Sequence, residues 1–267
     1  MRLTLLALAL IGALPALAQT ADEATALKLA SERGRLLYAY DQAAWHGTDD
    51  MRTKIKNPQD KLGGWIVDGP PEATELVFYD KDVADPHAVY AATFDHGKLL
   101  SARVFGPADD RTLTPLRKRM IAAAGSASAA LTAGRVQRCS DRPFNTVVLP
   151  PATQGDTISV YFLTPQTDTR TIPFGGHYRV DVGSDGKPGA VRAFTKSCIA
   201  LPVDAAVNED ATTAGMFLTH LLDPTPTEIH VFSSLVARKP IFVMTGAKRV
   251  WAVDGDRSIR PLDLPAK

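Results

Sequence analysis

The sequence predicts an α+β fold of antiparallel strand meanders with a few helices, organised as two strand-rich units. Short extended runs of aromatic and β-branched residues, bounded by Gly, Pro and Asp, recur on both sides of residue 136. Only two stretches of the first unit carry a helical apolar stripe. The two cysteines, Cys139 and Cys198, bracket a group of strands in the second unit, as a stapling disulfide would.

The first eighteen residues, MRLTLLALALIGALPALA, read as a secretory signal peptide. Arg2 supplies a positive start, Leu3 to Leu14 an apolar core broken by Thr4 and Gly12, and Ala16-Leu17-Ala18 a small-x-small cleavage triplet. The run is shorter than the roughly 20 residues that span a bilayer, so it is an address and not an anchor. No transmembrane segment is expected in the mature chain, and the destination is periplasmic or extracellular. An exported chain meets an oxidising compartment, so Cys139 and Cys198 are expected to pair. Closing a loop of about 60 residues stabilises the fold by about 4 kcal/mol in the chain-entropy account.

The first unit spans 22–135. Residues 22–45 read as a helix, with Leu27, Ala30, Gly34, Leu37, Tyr40 and Ala44 on one stripe. Strands are expected at 64–67, 74–79, 88–94 and 99–105, the last two joined by Asp95-His96-Gly97-Lys98 with glycine suited to a tight turn. A second helix is bracketed by Thr114 as N-cap, Pro115 at the first helical position and Gly134 as a stop. Its buried stripe is Leu116, Met120, Ala123, Ala127, Ala130 and Leu131, and it is expected to lie on the preceding meander.

The second unit spans 136–267. Strands are expected at 144–149, 157–163, 177–182 and 190–195, with a turn at Gly183-Ser184-Asp185-Gly186. A short helical stretch is expected over 210–222, ended by Asp223-Pro224-Thr225-Pro226. Strands at 228–236, 240–245, 249–253 and 258–262 close the chain. A single continuous fold is the alternative to the two-unit division.

The chain holds 30 basic and 29 acidic residues, and loss of Arg2 with the leader balances them. Such a chain has no global field to draw nucleic acid or anionic lipid, so neither is an expected partner. No nucleophile-elbow serine and no phosphate-cradling glycine loop is present.

Two constellations could carry chemistry. Strand alternation places His177, Arg179 and Asp181 on one face of their strand, and Glu228 with His230 on one side of another. If those faces met near His220, a pocket of His177, His220, Glu228 and His230 would form, with Asp223 close behind. Two or three imidazoles and one carboxylate make a zinc ligand set, which implies a metal-assisted hydrolase. The same alternation also describes a wet face of an antiparallel sheet. The other constellation is His46 with Asp49 or Asp50, a base with its orienting carboxylate.

The leading expectation is a non-enzymatic binding or interaction module of the cell envelope, without cofactor, whose partner is an envelope protein or a small ligand. The alternative is the zinc hydrolase at the His/Glu cluster.

Overall fold

The structure is a computed structural model that describes residues 20–153, 156–203, 215–246, 248–255 and 258–262. The signal-peptide segment lies outside the described residues. No described helix is long and apolar enough to cross a membrane.

Helix α1 (Ala21–Lys54) starts at Thr20, whose Oγ1 accepts from the Glu23 amide at 3.2 Å. It runs past the expected end at Trp45 because its apolar stripe continues through Gly47 and Met51. An i,i+4 bond from Lys54 Nζ to Asp50 supports the last turn. A single turn, α2 (Pro58–Lys61), leads into the antiparallel meander β1 (Leu62–Asp68), β2 (Glu75–Asp80), β3 (Ala88–Asp95) and β4 (Lys98–Val104), close to the four strands expected. The β3–β4 turn takes positive φ at both His96 and Gly97, the geometry of a two-residue hairpin loop. Helix α3 (Pro115–Ala133) begins and ends where its caps predict, with Thr114 Oγ1 accepting from the Arg117 amide.

A second antiparallel sheet is ordered β5 (Asn145–Leu149), β6 (Ile158–Leu163), β8 (Tyr178–Val182) and β9 (Arg192–Ala193). The segment β7 (Thr171–Pro173) pairs instead with β10 (Ala200–Pro202). Alternation along both four-stranded sheets sorts side chains into two cores. Val67, Leu76, Phe78, Tyr90 and Phe94 join Val147, Leu149, Tyr161 and Leu163 on the α1 side. Ile66, Val77 and Ala91 join Val148, Val160, Phe162 and Val180 around Met120, Ala123 and Ala127 of α3. Helix α3 therefore packs on both sheets and not on the preceding meander alone. Each core draws residues from both sides of position 136. The Cys139–Cys198 disulfide is formed, with Cα atoms 5.4 Å apart.

The C-terminal region corrects two expectations. Within 210–222, residues 210–214 lie outside the described residues, and the rest holds a strand, β11 (Met216–His220), where helix was expected. Residues 228–236, expected as a strand, fold as helix α4 (Glu228–Ala237). The helix is sandwiched between α1 and the sheet that contains β11, so nearly every side chain is buried and no amphipathic stripe survives. Its approach to α1 is close. A Cβ on Gly34 would lie 2.4 Å from Val231 Cβ. Helix α4 crosses from β11 to the parallel strand β12 (Ile241–Thr245), and β13 (Val250–Asp254) and β14 (Ser258–Leu262) continue the sheet antiparallel. The third core, with Met216, Leu218, Val231, Ile241, Val243 and Val253, fills this β-α-β unit.

Candidate functional site

The imidazoles of His220 and His230 meet where β11 ends and α4 begins. This is the carboxyl end of a parallel strand followed by a helix N-terminus, where open α/β units commonly bind ligands. His220 is the last residue of β11, and the alternation that buries Met216 and Leu218 also turns it inward. His230 sits in the first turn of α4. The two rings pack edge to face with centroids 4.7 Å apart.

Hydrogen bonds fix the chemistry of each ring. His220 Nε2 donates to Asp223 Oδ2 at 2.9 Å, and Asp223 Oδ1 accepts from Arg192 at 2.9 Å. Burial alone would raise Asp223, but the His220 bond and the Arg192 charge hold it below the usual carboxylate range. The His230 Nδ1 accepts the Thr227 amide proton at 2.9 Å, closing a capping box with imidazole in the place of the usual Glu or Gln. Because a backbone amide can only donate, His230 carries its ring proton on Nε2. Burial, reinforced by repulsion from His220, lowers its pKa to about 3, so the ring stays neutral.

His177 is fully buried nearby, close enough for its charge to be felt at His230. Both of its nitrogens are engaged: Nδ1 accepts from the Thr164 amide at 3.1 Å and Nε2 donates to the Pro173 carbonyl at 2.9 Å. Burial pushes it down to about 4. Glu228 faces away from this group. Its Oε1 accepts from Tyr161 Oη at 2.8 Å and from Arg179 at 2.7 Å, and Arg179 also pairs with Asp181 at 3.1 Å. The face of β8 expected to be wet is thus partly closed by α4, leaving the Arg179 side chain 13% exposed. Strand alternation had placed Glu228 and His230 on one side; two residues apart on a helix, they point to different neighbours.

The structure therefore brings together His220, His230 and Asp223, sets His177 behind them, and commits Glu228 elsewhere. Zinc does not fit this donor set. His177 has no free lone pair, His230 would have to lose its Nε2 proton and become imidazolate, and Glu228 is held by Arg179 and Tyr161. His46 stacks on Trp45 with centroids 5.0 Å apart. Asp50 accepts from Tyr90 Oη at 2.6 Å and from Lys54, and no described hydrogen bond or ion pair joins His46 to Asp49 or Asp50.

A niche with room for roughly one water molecule is lined by the two histidines, by the apolar Phe174, Phe194, Ile199, Leu218 and Ile229, and by Thr195, Thr219 and Thr227. No described residue hydrogen-bonds His220 Nδ1 or His230 Nε2. Among the described residues, the sealed polar side-chain atoms without a partner are Arg179 Nε and Ser233 Oγ. His220 Nδ1 and His230 Nε2 are not among them.

Sequence reasoning missed Arg192 and Thr227. Thr227 had a signal: a Thr three residues before a residue able to accept from its amide, directly after Pro-Thr-Pro, is a helix start. Arg192 had none, since only the folded chain brings its strand to Asp223. Comparison with known proteins finds no matching protein family, no matching curated protein and no matching solved structure.

Proposed function

We propose that this chain is an exported protein of the cell envelope, periplasmic or extracellular, that acts as a non-enzymatic binding module with its ligand contact at the His220–His230 niche. One observation carries the reading. The niche is lined by two buried histidines whose His220 Nδ1 and His230 Nε2 have no described partner, while the other members of the zinc set, His177 and Glu228, are committed elsewhere. The thiols are joined to each other, Ser234 Oγ donates to the Lys239 carbonyl, and Glu228 is paired with Arg179. The apolar start of the sequence and the disulfide favour an oxidising compartment.

Native mass spectrometry of the protein purified from envelope fractions tests this, with His220→Phe as the paired variant. The expected result is a small molecule retained by the wild type and lost by the variant. Turnover of an ester, amide or phosphoester by the wild type, abolished in His220→Phe, would replace binding with hydrolysis.

A further inference from the structure

We infer that the Cys139–Cys198 bond is a redox-exchange site, opened and re-formed in the folded protein by a partner dithiol. Its two ends differ in access: Cys198 is exposed and Cys139 is half-buried. A Cβ on Gly176 would lie 2.5 Å from Cys139 Sγ, whereas one on Gly175 would meet Cys198 at its Cα, 2.8 Å away. Cys139 therefore sets its sulfur against the backbone that enters β8, while Cys198 packs through its backbone and leaves its side chain to solvent. An exposed disulfide is open to thiolate attack where a sealed one is not. The surroundings are basic. Arg138 precedes Cys139, and Lys196 stands two residues before Cys198. The Arg138 guanidinium donates to the Asp141 and Arg142 carbonyls, and no described carboxylate pairs with it or with the exposed Lys196. Such cations beside a sulfur favour its thiolate and so ease its departure.

Each bridged segment also has its own hold on the fold. On one side the Ile199 carbonyl accepts from the amides of Phe174 at 2.7 Å and Gly175 at 2.9 Å, and the Phe194 amide donates to the His177 carbonyl at 3.1 Å. On the other, Tyr178 Oη donates to the Gln137 carbonyl at 2.7 Å, and Phe144 packs edge to face on Phe162 and Tyr178. The two sulfurs thus stay within reach of each other after the bond opens. In the opening step the attacking thiolate bonds to Cys198 Sγ, the S–S bond breaks, and Cys139 leaves as the thiolate with the electron pair. The second thiol of the partner, deprotonated, then attacks its own sulfur in the mixed disulfide and releases Cys198. The partner dithiol is oxidised to a disulfide, the Cys139–Cys198 pair is reduced to two thiols, and the protons lost by one balance those gained by the other.

The test treats the whole chain with dithiothreitol in the absence of denaturant, reading the bond by alkylation and mass spectrometry and the fold by the dispersion of amide resonances. The expected result is complete opening with the dispersion retained, and re-formation on removal of the reductant. Opening only after urea has unfolded the chain, or collapse of the dispersion once the bond opens, overturns the assignment and leaves the bond a structural staple. The point of attack is read separately. Excess glutathione quenched with iodoacetamide, which caps the released thiol, should place the glutathione on Cys198 in peptide mass spectrometry; glutathione on Cys139 overturns the order of steps. The Arg138→Gln/Lys196→Gln variant should open about two- to four-fold more slowly than the wild type, and an unchanged rate overturns the role given to the two cations.

Discussion

Lowering the pH from 7 to 5 tests the buried imidazoles of His177 and His230. An unfolded chain takes up a proton at each as pH falls through about 6.5, whereas the folded protein holds His177 at about 4 and His230 at about 3. Over that window the unfolded state binds more protons, so stability is fully present above pH 7 and is lost as the pH drops. By pH 5 each imidazole costs about 2 kcal/mol, roughly 4 kcal/mol together. Asp41 works in the opposite sense. Burial beside β5 raises it to about 6, partly offset by its bond to Asn145, so the folded state binds its proton first and recovers about 1 kcal/mol by pH 5.

The wild type should therefore lose about 3 kcal/mol between pH 7 and pH 5, measured as the change in unfolding free energy from urea titrations at the two pH values. Asp41→Asn should enlarge that loss to about 4 kcal/mol, and His230→Gln should shrink it to about 1 kcal/mol. Glutamine is chosen because its side-chain oxygen can still accept from the Thr227 amide. An unchanged pH dependence in His230→Gln would show that His230 is not held neutral by the fold and would refute the reasoning.

Gly34→Ala pushes a methyl group against Val231 and the Glu228 carbonyl, and should lower stability by about 1–3 kcal/mol in the same urea assay. Glu228→Met leaves the largely buried Arg179 paired with Asp181 alone and should cost about 1–3 kcal/mol, while the Glu228→Met/Arg179→Met double variant should recover part of that loss; equal losses would argue against a coupled pair. Reducing the Cys139–Cys198 bond, or replacing both cysteines by serine, should remove about 4 kcal/mol, seen as a lower urea midpoint for the reduced protein.

Features with a local cause were legible in the sequence. The ends of α3 follow from Thr114, Pro115 and Gly134, and the β3–β4 turn follows from Gly97. Strands β1 to β3 showed themselves through β-branched and aromatic runs between turn residues. What failed was periodicity where both sides of an element are apolar. In β11 the outward Phe217 is as apolar as the inward Met216 and Leu218, so alternation disappears and Leu221 and Leu222 complete a false helical spacing. In α4 burial against α1 and its own sheet removes the polar face by which a helix is recognised. The site suffered accordingly. His220 and His230 were named, but their neighbours were inferred from a strand that is a helix, which put Glu228 in the wrong company and left Thr227 and Arg192 unseen.

Helix α1 is the first described element, yet much of its surface is completed by the last third of the chain. Glu23 near its start holds Arg249 through two bonds across a separation of 226 residues, and Gly34 seats Val231. Contacts of such long range are slow to form because chain entropy must be lost before they contribute. A chain delivered from its N-terminus would thus carry an unfinished α1 until the final strands arrive, and the apolar flank awaiting α4 would stay open to capture by other unfolded chains. The proposed ligand contact and folding then share one timetable. His230 reaches His220 only when α4 docks on α1, so the niche exists only in molecules that have closed from end to end.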